Sequence, residues 1–282
     1  MSSPAENRLI SAFRFSPAAI ISLAIILFWT AIAIIGPWIA PHSPGRIVDF
    51  DVFGPMSASF PAGSDYMGRD MLSRIIVGTR YTVGISVTAT LIASFVGTFL
   101  GLFAAVSGGA VDSVLSRAMD TLISLPSTIF ALVIVAGLGS SIPVLIGASA
   151  FLYTPGIYRV ARAVALTIVV QDFVTAARAR GEGKLYIMLR EVLPNMLPPV
   201  LTDFGVRFVY IMLLISGLGF LGLGVQPPEV DWGTLVYENL AGVGLGAPAA
   251  FLPAFCVVSL ALAVNLFLDS IGDRAKAGSS EL

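Results

Sequence analysis

The residues able to do chemistry are few, and they do not assemble into a catalytic set. "GEGKL", residues 181–185, carries the lysine of a phosphate-binding loop. Such a loop needs G-x-x-x-x-G-K-[ST], where the last hydroxyl holds a magnesium ion. Arg178 stands where the first glycine belongs and Leu185 where the hydroxyl belongs, so the match fails twice. A Ser–His–Asp relay needs a histidine base, and the single His42 lies in "APHSPG", at the edge of an apolar run. One His42 and one Cys256 also exclude a Cys- or His-built metal centre and an intrachain disulfide. What remains is ion pairs, one polar amide and one basic stretch. Asp203 and Arg207 are four apart and share a helical face. They read either as a self-neutralised pair or as a gate or lining of a path. Asn265, inside an apolar run, suits a helix–helix hydrogen bond or, alternatively, a ligand to a transported solute. Asp65, Arg69 and Asp70, in "GSDYMGRDMLSRIIVGTR" (63–80), are spaced for mutual ion pairs. Six charges fall between Arg178 and Glu191, in a chain that elsewhere carries few.

The elements that position these residues follow from composition. The chain has 282 residues, 56% hydrophobic and 12% charged. A soluble domain is usually about 25% charged, so a bilayer is the solvent this chain fits. A net charge of −1 gives no electrostatic reason to bind nucleic acid. Five stretches lack Asp, Glu, Lys and Arg: 15–45, 81–111, 121–158, 208–228 and 239–268. A membrane helix needs about 20 such residues. The third stretch is nearly twice that length and is broken by "GLGSSIP" (137–143), so it holds two spans. The pattern predicts an all-α integral membrane protein with six spans, about 17–40, 82–106, 119–138, 142–164, 198–224 and 248–270. A tail of residues 1–16 precedes them and a tail of residues 272–282 follows. The first stretch is too long for a signal-peptide core and reads as an anchor.

Lys and Arg set the orientation. Six spans place both termini on one side. With that side cytoplasmic, the inner segments hold Arg8, Arg14, Arg117, Arg159, Arg162, Arg178, Arg180, Lys184, Arg190, Arg274 and Lys276. The outer segments hold Arg46, Arg69, Arg74 and Arg80, close to Asp49, Asp51, Asp65 and Asp70, and the loop 226–247 holds no basic residue. The basic stretch is then cytoplasmic. Leu185, Met188, Leu189 and Val192 recur at helical spacing as one apolar stripe. Asp172 is placed to cap a short helix before them. Gly181 and Gly183 break the two helices, Pro194 ends the second, and Pro198–Pro199 mark re-entry to the membrane. On these residues alone, the segment 172–195 is a helix–turn–helix on the membrane face: a connector to headgroups or a docking element.

A resemblance narrows this. "AARARG", with Ala176, Ala177 and Gly181, followed by Leu193 and Pro194, resembles the EAA loop of ABC-importer permeases. The segments 63–80, "GFLGLGVQPPEVDWG" (219–233) and "VNLFLDSIGD" (264–273) are similar to motifs of the C-type subunit in the dipeptide/oligopeptide/nickel permease family. The chain departs from that family at Thr175, usually Glu, at Glu191, often His, and at Val230, Leu268 and Gly272. The resemblance implies a type I importer fold in a bacterial or archaeal plasma membrane. It implies a non-catalytic subunit whose loop, through Thr175, Ala176, Ala177, Arg178, Gly181, Lys184, Leu185, Met188, Leu189, Glu191, Leu193 and Pro194, docks on an ATPase. ATP and magnesium would then bind only to partners: two ATPase subunits or a fused one. A B-type permease would complete the path and an extracytoplasmic solute-binding protein would deliver the solute, with Asp65, Arg69 and Asp70 as candidate outer contacts. Peptides are the commonest cargo of such a family, beside nickel, glutathione, opines and oligosaccharides. The alternative is a stand-alone secondary transporter or channel. An ion-coupled carrier carries ionisable groups deep in its spans, and these are almost absent here.

Overall fold

The computed structural model describes residues 17–48 and 51–279, with side chains as far as residue 271. The expected tail 1–16, Asp49 and the last three residues of the expected tail 272–282 lie outside the described residues, and the rest of that tail continues the last helix to Ser279. The helices in chain order are α1 (Pro17–Ile39), α2 (Met71–Ser107), α3 (Gly109–Ile123), α4 (Ser127–Leu138), α5 (Ile142–Val169), α6 (Asp172–Ala179), α7 (Lys184–Tyr186), α8 (Leu193–Phe220), α9 (Trp232–Glu238) and α10 (Phe251–Ser279). A π turn, Ile187–Val192, joins α7 to α8 without a break, and a 3-10 turn, Leu240–Leu245, follows α9. Among the described residues there is no strand. Five helical runs are long and apolar enough to cross a membrane: α1, α2, α5, Lys184–Phe220 and Phe251–Ile271. The pair α3 and α4, bent by 82°, supplies a sixth crossing if it counts as one span.

Three boundaries differ from the expected ones, each for a local reason. The apolar run predicts a span from 82, but α2 starts at Met71. Asp70 caps it, accepting from the backbone N–H of Leu72 and Ser73. Arg74 and Arg80 interrupt the apolar run without interrupting the helix. The straight span expected over 119–138 is instead a bend at residues 124–126. Pro126 lacks an N–H and disfavours helical angles at Leu125. The prolines expected to stop and restart the helix near 194–199 do neither. Leu193 N–H reaches Met188 O, five residues back, and this wider turn takes up Pro194 without a clash. Pro198 and Pro199 follow on exposed positions of α8.

The centre of the bundle is α2 against α5. A Cβ added to Gly97 would stand 2.8 Å from Ile157 Cβ, and one on Gly101 would stand 2.7 Å from Tyr158 O. The two backbones therefore touch, as small residues allow between membrane helices. α1 lies outside and is tied to α10 by Trp29 Nε1–H donating to Ser259 Oγ at 3.0 Å. The Trp29 ring meets Trp232 edge-on at 4.9 Å.

One end of the bundle is closed by a knot of charges. Arg69 Nε donates to Asp65 Oδ2 at 2.7 Å, and Arg74 Nη1 donates to the same oxygen at 2.6 Å. Arg74 also reaches Glu238 at 2.7 Å, and Arg69 reaches it at 3.4 Å. Two cations thus meet two anions, joining the loop before α2 to the end of α9. Asp70 beside them accepts from Ser73 Oγ at 2.5 Å and lies 3.1 Å from His42 Nδ1. Asp65, Arg69 and Asp70, the candidate outer contacts, are all buried. Their charges are satisfied inside the chain and are not presented outward. Asp231 is the second buried anchor. It accepts from Val225 N–H, Thr234 N–H and Thr234 Oγ1–H at 2.9, 3.1 and 2.6 Å. Burial pushes its carboxyl above the usual carboxylate range, against the pull of those donors. Gly224 is required there, because a Cβ would stand 2.5 Å from Asp231 Oδ2.

Breaking the knot from one side leaves anions buried, which costs about 3 kcal/mol or more. Arg74→Gln is expected to lower the apparent unfolding midpoint of the purified protein, read by a thiol-reactive dye on the buried single Cys256. The pair Arg74→Met with Glu238→Leu should cost less than Arg74→Gln alone, since it leaves Asp65 matched to Arg69. A wild-type midpoint for Arg74→Gln would show that the knot contributes nothing.

Candidate functional site

The segment after α5 folds as two helices about one turn. Gly181 has φ +83°, in the left-handed region that glycine enters freely. Its N–H reaches Arg178 O at 2.9 Å and the Glu182 N–H reaches Ala177 O at 3.2 Å, the paired bonds of a Schellman stop. Gly183, by contrast, is in ordinary extended backbone (φ −73°) and is not needed as glycine. Asp172, expected as the cap, is the first helical residue, and Gln171 holds the cap position without a side-chain bond. At Asp172 the carboxylate still faces the positive end of the helix dipole.

The expected apolar stripe divides. Met188 and Val192 are buried together with Val174, Ile187 and Met196 against Leu102, Ala165 and Val169 of α2 and α5. Leu185 and Leu189 stay outside, 62% and 46% exposed. Met188 and Leu189, adjacent in sequence, thus serve two surfaces. Ala177, expected at a partner's surface, is instead fully buried under α6. Phe173 and Tyr186 join the outer patch. Thr175, Ala176, Arg178, Lys184 and Arg190 are exposed around it. Thr175 Oγ1 donates to Gln171 O at 3.4 Å. Arg180 lies 3.6 Å from Glu191 and 3.9 Å from Glu182. Leu193 is partly buried and Pro194 exposed. The result is an exposed apolar patch ringed by cations on a base fixed to α2 and α5. It suits an apolar groove with an acidic rim, and it holds no nucleophile–base pair.

Within the bundle, Arg207 Nε lies 3.3 Å from Asp203 on the same face of α8, the expected i,i+4 pair. Asn265 does not cross to another helix. It is exposed and donates to Ala261 O of its own helix at 3.0 Å, which satisfies the amide locally. Two pairs escaped the sequence reading. Arg162 grips Asp112 through Nε and Nη2, and Arg159 lies 3.9 Å from Asp120. Arg159 and Arg162 are three apart on α5, and Asp112 and Asp120 are eight apart on α3. That spacing puts each pair on one helical face, a signal available to anyone pairing charges between consecutive helices. Glu238 was also missed as a partner of Arg69 and Arg74. It is an acid in a loop with no base of its own. Among the described residues, no cluster of His, Cys, Asp or Glu is placed to hold a metal.

Comparison with known proteins agrees with this architecture. Residues 97–277 match the family model described as binding-protein-dependent transport system inner membrane component. Residues 8–67 match that of the N-terminal TM domain of oligopeptide transport permease C. The chain is 34% identical to the di/tripeptide transport system permease protein of Pseudomonas aeruginosa (strain UCBPP-PA14), over 93% of this chain and 88% of that one. It is 31% identical to the probable D,D-dipeptide transport system permease protein of Escherichia coli (strain K12), over 97% and 93%. It is 33% identical to a glutathione transport system permease protein of Escherichia coli O6:K15:H31, over 93% and 86%. With a family model across most of its length and such relatives along nearly all of it, this multi-pass membrane protein belongs to the binding-protein-dependent permeases of ABC importers.

Proposed function

We propose that the chain is one half of the translocation path for a di- or tripeptide-like solute, driven by ATP hydrolysis on separate subunits. The cargo reading rests on relatives named for dipeptides, D,D-dipeptides and glutathione, each a short chain of amino acids with free carboxylate. The observation that carries the mechanism is the divided segment 172–192. One side is packed into the bundle, and the other offers Phe173, Leu185, Tyr186 and Leu189 among cations. Such a patch docks on the ATPase through Thr175, Ala176, Arg178, Gly181, Lys184, Leu185, Leu189, Glu191 and Pro194, while Ala177, Met188 and Leu193 back it from inside. This subunit then has no catalytic role, and ATP and magnesium stay on two ATPase chains or a fused pair. A B-type permease supplies the other half of the path and an extracytoplasmic binding protein supplies the solute. The docking face and both termini are cytoplasmic, in agreement with the Lys and Arg bias. Rigid-body rocking of the two halves alternates access. A stand-alone ion-coupled carrier is disfavoured, because the deep charges are arginines closed by aspartates.

Two experiments test this reading. Cysteines placed singly at Gly183 and at exposed Leu245, in a Cys256→Ser background, are expected to react with an impermeant thiol reagent from opposite sides, Leu245 from outside. Labelling from one side would overturn the topology. Gly181→Asp adds a charge to the docking face and a side chain with no neighbour within 4 Å in this chain. It strains only the left-handed turn, at about 1 kcal/mol. The variant should insert and keep its partner permease, yet lose the ATPases or at least tenfold of the hydrolysis stimulated by loaded binding protein. Thr175→Glu should retain or strengthen docking. Normal docking and stimulation in Gly181→Asp would reduce the segment to a connector.

A further inference from the structure

The arginine–aspartate pairs are not equally closed. Arg162 gives Asp112 both Nε and Nη2. Arg207 gives Asp203 only its Nε, and its two terminal nitrogens have no hydrogen-bond partner among the described residues. They lie flat against α5 at Gly156, where an added Cβ would stand 2.9 Å from Arg207 Nη1. A side chain at 156 would push the guanidinium away, so glycine is what lets Arg207 reach this position.

That position is the wall of a cavity of about 450 Å³, within the range of small-molecule sites. The bend between α3 and α4 opens it, through Leu125 and Ser127. Tyr153, Gly156 and Arg159, spaced by three along one stripe of α5, form the second side, and Arg207 the third. Two guanidinium groups line it and no carboxylate does. Asp203 lies 3.3 Å from Arg207 and Asp120 lies 3.9 Å from Arg159, neither among the lining residues. Tyr153 O–H is already donated to Tyr210 O at 3.2 Å, so its ring serves as wall. Arg159 is 61% exposed at the open side. Charged side chains at this depth face a water-filled space or protein, because facing lipid is too costly. The arginine-lined side of the cavity therefore suits water better than lipid.

We propose that Arg207, with Arg159 at the mouth, is a carboxylate-binding station for the solute in transit. The free terminal nitrogens of Arg207 form the planar fork that pairs with a carboxylate through two N–H donors. Asp203, on the Nε side, competes for the same cation and keeps the hold weak, as a path requires: strong enough to admit, weak enough to release. The ligand class is a small solute with a free carboxylate. The identification with a peptide C-terminus rests on the peptide-permease reading above.

The test uses the complete complex with its binding protein in lipid vesicles, and two probes. Trifluoroacetate, followed by fluorine NMR line broadening, reports the station whatever the cargo. Alanyl-alanine uptake reports transport. Arg207→Gln is expected to cut the broadening at least twofold and the uptake about tenfold, the loss of one charge-assisted contact, in a complex that still assembles. Asp203→Asn keeps an acceptor for Arg207 Nε and removes the competing negative charge. It is expected to raise the broadening, which tests the station even where Arg207→Gln fails to assemble. Broadening unchanged in Asp203→Asn and in any assembled Arg207→Gln overturns the station, even if alanyl-alanine is taken up normally. A wild-type complex that imports no alanyl-alanine overturns the peptide reading instead, and the trifluoroacetate measurements still decide the station.

Discussion

A charge taken out of water must meet its opposite, and the packing of this protein is arranged around that requirement. At one end, Asp65, Glu238, Arg69 and Arg74 neutralise one another two against two, and this binds segments far apart in sequence. At the other end, Asp112 and Arg162 bind α3 to α5. Between them α2 and α5 meet backbone to backbone at Gly97 and Gly101. The charged knots specify which helices lie together, and the small residues decide how closely.

The same requirement explains what could be read from the sequence. The spans were legible because uncharged runs of membrane length have few other uses, and α1 and α5 begin where the runs predict. The start of α2 was not, because Arg74 looks like a surface residue until Glu238 and Asp65 are seen beside it. A linear pattern carries no information about a partner more than 160 residues away. The bend at Pro126 and the continuity through Pro194 were misjudged for a related reason. Proline removes one donor, but whether the chain breaks depends on how the neighbouring turn accommodates the loss. At Pro194 a π turn does so, and no residue type announces it. In the segment 172–195 the turn at Gly181 and the helical stripe were legible. The division of that stripe between Met188 and Leu189 was not, since both are equally apolar.

The charged cap before α2 shows how burial changes the role of a motif. The segment 63–80 carries five charges that would suit a recognition surface in water. Once Asp65 accepts from Arg69 and Arg74, the motif becomes the joint between two loops. Asp231 does the same within its own loop, drawing Val225 and Thr234 onto one carboxylate. The two anchors leave α9 fixed from both ends, with Trp232 buried between α1 and α2.

The absence of a break at Ile187–Val192 has a mechanical consequence. From Lys184 to Phe220 the backbone is one helical rod of 37 residues, with Leu185 at one end and Arg207 well along it. Arg207 lies 22 positions beyond Leu185, a lever arm of roughly 33 Å at 1.5 Å per residue. A tilt of about 10° imposed at Leu185 would therefore carry Arg207 by roughly 6 Å, enough to lift its guanidinium off Gly156. A kinked or jointed segment would absorb the same tilt locally, so in this protein stiffness along the rod is what lets an event at one face of the membrane be felt at its middle.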